Sequence, residues 1–352
     1  MIGTICFSII LLQALIAGVF CLNHAIRKKE EELDRITSLS IIVPFHNEEK
    51  RTQQLITSLN KIDLKDDREL IFINDYSTDR TEDFIKSRLK HPYKIFPNQF
   101  RRGKKWAIKT GVENASFDWV LTLDADVSFD NAYWDKLCQI PKVDIITLPV
   151  QLTGNSVVSN WAKIEHAFLR FFQNGMSAFD SPVLGSGANL CFSKEAFLDV
   201  DANRDDYNLK SGDDVFLIES MRKGNKHMFD ITDHNHQVLT PAPNNWRALF
   251  KQRFRWQSKM TKMNTWVLLP AGLFLGMVQL SFFGCLWMSF IEPIYLIPIL
   301  VKILVELFIV SRYYDLQTKL IGLTIINQVT YLLILVMGIF PWGTEEKWQV
   351  QD

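Results

Sequence analysis

Two pairs of carboxylates have a spacing that suits metal binding or proton transfer. Asp124 and Asp126 follow the apolar run 119–123, and Asp213 and Asp214 precede another apolar segment. If strand alternation continues through the first pair, both carboxylates lie on one face, where they repel each other unless a cation binds. Mg²⁺ and Mn²⁺ prefer oxygen ligands and are usually held by one or two carboxylates together with substrate phosphates. The first pair therefore predicts a divalent-metal site, and the second predicts a carboxylate that removes a proton from a hydroxyl.

Simpler structural roles also explain each pair. Asp is common at helix N-termini, where its oxygens accept backbone N–H groups and favour the positive end of the helix dipole. Asp124 and Asp126 could therefore stand in a turn, and Asp213 or Asp214 could be an ordinary N-cap. The types and spacing of these residues leave both roles open for each pair.

A third motif is the segment Gln252 to Trp256 (QRFRW), which stands just before a long apolar stretch. Nearby aromatic residues, among them Trp246 and Phe250, suit a helix that lies at a membrane interface. An aromatic and basic belt at the membrane edge is the alternative explanation.

The segments before and between these motifs predict the elements that position them. Four short apolar runs, separated by segments with helical periodicity, are 39–44, 69–74, 93–96 and 119–123. Continuous apolar strands that alternate with helices predict a largely parallel sheet covered on both faces. Ligands of such sheets bind at the carboxyl ends of the strands. Polar clusters follow three of the runs, at 46–49, 75–79 and 124–126.

Composition excludes several other classes of protein. The 352 residues carry a formal net charge of +0, so no global field favours nucleic acid. The five cysteines are scattered without a CxxC pair, which excludes a disulfide scaffold and agrees with a reducing compartment. The sequence contains neither GxxxxGK[ST] nor GxGxxG, so it lacks the P-loop and dinucleotide types of phosphate site.

The N-terminal segment predicts a membrane anchor. Residues 2–22 are apolar and uncharged, and about 20 such residues cross the hydrocarbon of a bilayer. Signal peptides carry positive charge before the apolar stretch, whereas Arg27, Lys28 and Lys29 follow it here. This order favours an uncleaved anchor with its N-terminus outside over a secretory signal.

Three further apolar runs, 266–289, 291–310 and 320–342, predict three C-terminal spans. The middle run contains Lys302 and Glu306, which are four residues apart and can pair on one helix face. Prolines at its start also permit a re-entrant segment. The basic residues that flank the spans place the central region in the cytoplasm, which predicts an integral protein of the cell or inner membrane.

Asp75, the Asp-Ala-Asp, the Gly-Asp-Asp and the QRFRW occur in this order, with apolar spans at both ends. The arrangement resembles the membrane-bound family 2 glycosyltransferases, which include cellulose, chitin, hyaluronan and poly-N-acetylglucosamine synthases and ceramide glucosyltransferase. The resemblance covers roughly residues 38 to 260. It implies a GT-A fold, which is an α/β domain with a Rossmann-like, mostly parallel mixed sheet, and N- and C-terminal transmembrane helices. The expected parts are an anchor at 1–24, a cytoplasmic catalytic domain at 38–243, an interfacial helix at 244–263 and a membrane region at 264–342.

The same resemblance implies roles for individual residues. Asp214 corresponds to the catalytic base, and Asp126 corresponds to the metal ligand. The residues implied on the donor side, with Asp75 at the uracil, are Pro44, Glu48, Asp75, Lys104 and Asp124. Those implied on the acceptor and pyrophosphate side are Gly187, Asn189, Asp213 (where the family more often has Glu), Gln252, Arg255 and Trp256.

The implied reaction is a single in-line displacement from a UDP-sugar to a lipid or glycan acceptor at the membrane, with Mg²⁺ or Mn²⁺ as cofactor and without nucleic acid. Transfer of one sugar to a lipid competes with processive polymer synthesis, and the small number of expected spans favours a lipid or lipid-linked acceptor. A non-catalytic membrane subunit that keeps the fold is the alternative. A transporter is disfavoured because the sequence has few spans and no repeated helical halves.

Overall fold

The computed structural model describes residues 2–26, 34–177, 184–209, 211–260, 263 and 268–339. These residues form two compact units. An α/β unit contains the described parts of 29–153 and 179–241, and a helical unit contains those of 1–28, 154–178 and 242–344.

A mixed, mostly parallel sheet forms the centre of the α/β unit. Its strands within the described residues are β1 (Leu39–Phe45), β2 (Arg68–Asn74), β3 (Lys94–Pro97), β4 (Trp119–Leu123), β5 (Ile145–Thr147), β7 (Asn189–Ser193) and β8 (Met228–Asp230), in the order β3-β2-β1-β4-β7-β5-β8. Strand β7 is antiparallel to β4 and β5, and the other neighbours are parallel. Strands β6 (Val150–Thr153) and β9 (Val238–Pro241) pair separately, in parallel.

Both faces of this sheet are buried, as the continuous apolar runs predict. Ile41 and Val43 belong to the core on one face, whereas Ile42 belongs to the core on the other. The covering helices are α2 (Gln53–Leu59), α3 (Thr81–Arg88), α4 (Lys104–Asn114), α5 (Asn131–Lys136), α7 (Lys194–Asp201) and α8 (Val215–Lys223). The predicted GT-A type of sheet, largely parallel and covered on both faces, is therefore present.

The strand order brings the predicted polar clusters to one edge. Strand β1 lies between β2 and β4 and is parallel to both. The segments 46–49, 75–79 and 124–126 therefore leave neighbouring strands at their carboxyl ends, where ligands of open α/β sheets bind.

The helical unit contains α1 (Ile2–Ile26), α6 (Val157–Ser177), α9 (Trp246–Met260), α10 (Leu268–Ser289), α11 (Leu296–Ser311) and α12 (Thr318–Ile339). Among the described residues, three segments are long and apolar enough to cross a membrane: Ile2–Leu22, Pro270–Ser289 and Pro293–Ser311. The expected span at 320–342 corresponds to α12, and its residues 340–342 lie outside the described part of the chain. The expectations about Arg27, Lys28, Lys29 and residue 266 also fall outside it.

Two features of this unit bear on the sequence predictions. Helix α6 belongs to the helical unit, so residues 154–178 separate two parts of the α/β unit along the chain. Lys302 and Glu306 form the expected buried ion pair on α11. Gln328 of α12 joins the pair, since it accepts from Lys302 and donates to Glu306.

Candidate active site

Asp75 is held rigidly at the carboxyl end of β2. Its side chain is fully buried, and Asn98 Nδ2 donates to Oδ1 at 2.6 Å. The backbone N–H of Gly103 lies 3.0 Å from both oxygens, just before helix α4, so the carboxylate also faces the positive end of a helix. Burial raises the pKa of Asp75, and the hydrogen bonds from Gly103 and Asn98 offset part of this rise. The carboxylate therefore has a fixed direction.

The turn after β1 supports Asp75 from the other side. His46 Nδ1 lies 2.7 Å from the carbonyl oxygen of Asp75, and Arg102 donates to His46 Nε2. Because a guanidinium only donates, Nε2 must accept and Nδ1 must carry the proton. Asn47 adopts a left-handed backbone with φ of +54°, and its Oδ1 accepts from Thr78 N at 2.8 Å. The clusters after β1 and β2 thus form one connected network.

Pro44 and Glu48 lie at this end of β1. The ladder between β1 and β4 covers Ser40 to Ile42, so Pro44, which has no N–H, stands beyond it while remaining buried. Glu48 lies in the turn, and its backbone N–H donates to Thr81 Oγ1 at 2.8 Å.

Lys104 connects the two carboxylate motifs. Its Nζ lies 2.7 Å from Asp124 Oδ1 and 2.7 Å from Asp213 Oδ2. Burial alone lowers the pKa of Lys104, but the two carboxylates outweigh it and raise the pKa well above its ordinary value. One ammonium group therefore joins the end of β4 to the segment before α8.

Asp126 meets a different cation. Strand β4 ends at Leu123, so the alternation expected through Asp126 stops earlier. Asp126 Oδ2 lies 3.5 Å from Arg51 Nη1, and Arg51 also pairs with Glu48. Each carboxylate of the Asp-Ala-Asp is thus balanced by its own basic side chain.

The chemistry of this donor set fits a divalent ion that shares its ligands with a substrate. Asp124 and Asp126 offer hard carboxylate oxygens at the carboxyl end of β4, and both side chains are partly exposed. Within the described residues, no three His, Cys, Asp or Glu side chains form a group that could hold a metal ion. An ion at this position would therefore need further oxygens, such as those of a diphosphate.

Asp214 lies at the start of α8, next to the Lys104 pair. Its Oδ1 accepts from Val215 N at 2.8 Å, and its Oδ2 accepts from Gly187 N at 3.4 Å. A Cβ at Gly187 would lie 2.9 Å from Lys104 Nζ and closer still to Asp213 Oδ2. The absence of a side chain at residue 187 lets this loop approach both carboxylates.

Asn189 is buried at the start of β7, and its side chain contacts protein groups. Its Oδ1 accepts from the Tyr133 hydroxyl at 2.9 Å, and its Nδ2 donates to the carbonyls of Pro149 and His236 at 2.8 and 2.9 Å. Burial raises the pKa of Tyr133 well above its usual value, so the phenol remains a donor. In this structure Asn189 fixes the strand on which the 185–190 loop ends.

The remaining predicted residues, Gln252, Arg255 and Trp256, belong to helix α9 of the helical unit. Their side chains are partly exposed. Arg253, between them, pairs with Glu165 of α6 and lies over the Trp256 ring, with 4.3 Å between the guanidinium carbon and the ring centroid.

The structure brings together Asp124, Asp213 and Lys104, and it places Asp214 and Gly187 beside them. Sequence reasoning missed four residues that hold this site or the QRFRW helix. These residues are Arg51, Asn98, Gly103 and Glu165. Nothing in the local sequence marks Arg51 or Asn98, whereas Gly103 could have been recognised as a glycine that precedes a helical pattern.

Comparison of the fold with solved structures identifies a similar enzyme. A mannosyltransferase from Pyrobaculum calidifontis, solved in complex with GDP-Man and Mn²⁺, superposes with a TM-score of 0.56. The match covers 97% of this chain and 99% of that protein at 14% sequence identity. This likeness supports the GT-A fold.

Sequence comparison identifies relatives and a family. Poly-beta-1,6-N-acetyl-D-glucosamine synthase of Staphylococcus epidermidis is 25% identical over 245 residues, which are 66% of this chain and 57% of that protein. The Staphylococcus aureus enzyme of the same name is 27% identical over 188 residues, 51% of this chain and 45% of that protein. The chain therefore spans about half the length of these relatives. Residues 40–198 of this chain match the family described as Glycosyl transferase family 2.

Proposed function

We propose that this chain is an inverting transferase that moves a sugar from a UDP-sugar to a membrane lipid, a lipid-linked glycan or a growing polysaccharide. The observation that carries the proposal is the position of Lys104, 2.7 Å from both Asp124 and Asp213. This contact joins a donor-side carboxylate to the segment that carries Asp214.

Asp214 acts as the general base in this proposal. The acceptor hydroxyl attacks the anomeric carbon from the side opposite the UDP, and Asp214 takes the hydroxyl proton. The bond between the anomeric carbon and the diphosphate oxygen breaks, so UDP leaves and the configuration inverts. The partly exposed carboxylate of Asp214 accepts from the N–H groups of Val215 and Gly187, and these two bonds fix its direction.

Asp126 and Asp124 would hold Mg²⁺ or Mn²⁺ together with the donor diphosphate. A divalent ion there offsets the charge that develops on the leaving UDP. Lys104 and Arg51 already balance these carboxylates with positive charge. We infer that Lys104, with Arg255 of the QRFRW motif, contributes charge on the pyrophosphate side.

Two observations support the proposed donor. The resemblance of Asp75 to a uracil-binding aspartate supports a UDP-sugar, and the hydrogen bonds from Gly103 and Asn98 fix the direction of its carboxylate. The synthases of Staphylococcus named above support N-acetylglucosamine as the first sugar to test. The mannosyltransferase with GDP-Man supplies the control nucleotide.

The acceptor is proposed to be associated with a membrane. Three helices long and apolar enough to span a bilayer, counted over the described residues, support this location. The basic residues near the apolar segments support a cytoplasmic catalytic domain. The names of the relatives support a polysaccharide product, and a lipid or lipid-linked acceptor is the other product class to be tested.

A transfer assay tests this function. The full chain, purified into nanodiscs with bacterial lipid extract, is incubated with radiolabelled UDP-N-acetylglucosamine, UDP-glucose or GDP-mannose in the presence of Mg²⁺ or Mn²⁺. We expect release of UDP and label in the lipid or polymer fraction with a UDP-sugar and not with GDP-mannose. Absence of nucleotide release with every donor would instead support a non-catalytic subunit that retains the fold.

A further inference from the structure

Helix α6 contacts helix α9 at more than one point along its length. The rings of Trp161 and Trp246 meet edge to face, with 5.8 Å between their centroids. One helical turn further along α6, the Glu165 carboxylate accepts hydrogen bonds from the Arg253 guanidinium. This second contact reaches the QRFRW segment itself.

Glu165 is a buried acid, with 8% of its surface exposed. Burial raises its pKa, and the charge and hydrogen bonds of Arg253 oppose this rise. A buried ion pair adds little net stability compared with an apolar pair of similar volume, because both charges lose water. The pair does, however, fix the direction of both side chains, which an apolar contact does not.

The Arg253 guanidinium also contacts the side chains of two neighbouring residues, Gln252 and Trp256. Its Nη1 donates to Gln252 Oε1 at 3.1 Å. Its guanidinium carbon lies 4.3 Å from the centroid of the Trp256 ring, within the range of a cation–π contact. Gln252 and Trp256 are two of the three motif residues implied on the acceptor and pyrophosphate side.

We propose that Glu165 is a positioning residue for transfer, which orients Gln252 and Trp256 by holding the Arg253 guanidinium. This inference rests on the function proposed above. Glu165 acts through Arg253 and does not contact the reacting atoms. Its loss should therefore misplace the motif without removing a chemical group from it.

Kinetics of Glu165→Gln test the proposal against a matched control. Glu69→Gln also removes an acid that is mostly buried and ion-paired, because Glu69 lies 2.7 Å from Lys94 at the amino end of β2. We expect Glu165→Gln to lower kcat by about 10- to 100-fold, the scale of a misplaced group, with the donor KM unchanged. Glu69→Gln should leave both constants unchanged.

A charge reversal separates positioning from simple structural support. The double variant Glu165→Arg, Arg253→Glu restores an ion pair between α6 and α9, but a carboxylate at residue 253 cannot form a cation–π contact with Trp256. We expect this variant to recover the thermal stability lost in Glu165→Gln and to remain low in kcat. If the double variant recovered kcat, an ion pair between α6 and α9 would be sufficient for transfer, and the proposed orientation of Trp256 by Arg253 would be wrong.

A spectroscopic readout tests the positioning role without turnover. Protein labelled with 5-fluorotryptophan has ten tryptophan resonances, and Trp256→Phe identifies the one from Trp256. We expect Glu165→Gln to shift or broaden that resonance and Glu69→Gln to leave it in place. An unmoved resonance in Glu165→Gln would overturn the proposal. If the wild type transfers no sugar from any donor, the proposed function fails, and this spectrum alone decides the positioning role.

Discussion

The backbone N–H of Gly103 lies 3.0 Å from each carboxylate oxygen of Asp75. Gly103 has φ of +147°, a conformation that residues with a side chain rarely adopt. The direction of the Asp75 carboxylate thus depends on a backbone conformation that glycine alone adopts easily.

Replacement of Gly103 by Ala should weaken nucleotide binding. An added Cβ would find its nearest atom 3.6 Å away, in Trp106, so the cost comes from backbone strain and not from a clash. Strain of about 1–3 kcal/mol should move the N–H away from Asp75 and lower the affinity for UDP by about 10- to 100-fold. Isothermal titration calorimetry with UDP measures this loss. Gly272→Ala, where the Cβ meets no heavy atom within 4 Å, is the control, and an equal affinity in both variants would contradict the role of Asp75.

Asp214→Asn should separate the proposed base from a helix cap. Asn caps helices about as well as Asp, so the amide preserves the bond from Val215 N and the stability of α8. Turnover should fall by at least about 100-fold, since general base catalysis typically contributes that much, while UDP-sugar binding stays. Steady-state kinetics and calorimetry measure the two effects. Asp130→Asn, at the N-cap of α5, should keep full activity, and equal turnover in both variants would assign Asp214 to capping alone.

Removal of the divalent ion should stop transfer, and Asp126→Asn should weaken its binding. The carboxylate of Asp126 supplies a charged oxygen, and an amide oxygen binds Mn²⁺ less strongly. Titration of Mn²⁺ by electron paramagnetic resonance, in the presence of UDP, measures the affinity directly. Asp233→Asn, on an exposed turn, should match the wild type. Unchanged Mn²⁺ affinity in Asp126→Asn would place the ion elsewhere.

The charge of Lys104 should contribute to stability up to alkaline pH. Its folded pKa lies above the ordinary value, because Asp124 and Asp213 outweigh the opposing effect of burial. The contribution is therefore complete below the unfolded pKa of about 10.4 and is lost only as pH rises through the folded value. The difference in free energy of unfolding between wild type and Lys104→Met should be constant from about pH 7 to pH 9. Lys86→Met, which removes an exposed pair with Glu82, should have little effect, and a difference for Lys104 that vanishes below pH 9 would contradict the ion pair.

Removal of only one charge from the buried pair of Lys302 and Glu306 should destabilise the protein. Glu306→Gln leaves a buried ammonium without its carboxylate, which costs about 3–5 kcal/mol in buried pairs. The double variant Lys302→Met, Glu306→Met removes both charges and should recover most of that loss. Thermal unfolding in detergent measures both variants. If the double variant were no more stable than Glu306→Gln, the unpaired charge would not be the cause.

Strands β1 to β4 could be predicted from the sequence within about one residue, and the reason is physical. Strands β1, β2 and β4 are continuous, mostly buried apolar runs, and each is followed by a polar cluster. Strand β3 is shorter and only partly buried, so its run is a weaker signal. Strands β5 and β8 have three residues each, too few for a periodic signal. Strand β7 inserts antiparallel between β4 and β5, which depends on pairing between distant segments.

The sequence indicates which acidic residues are candidates for the site, but it does not indicate which side chains contact them. The carboxylates at 124, 126, 213 and 214 are recognisable because acidic residues follow or precede apolar runs. The cations that balance them, Lys104 for Asp213 and Arg51 for Asp126, come from different elements. Only the packing of those elements determines such partners, so local sequence carries no signal for them.

The place of α6 in the chain affects any attempt to obtain the α/β unit as a soluble fragment. This helix interrupts the sequence of that unit, yet it packs against α1, α11 and α12. A fragment cut at 38–243 would keep α6 and lose those partners, leaving apolar side chains such as Trp161 and Phe171 in water. Such a surface promotes aggregation. Deletion of 154–178, with a short flexible linker in its place, is therefore the rational starting point for crystallisation.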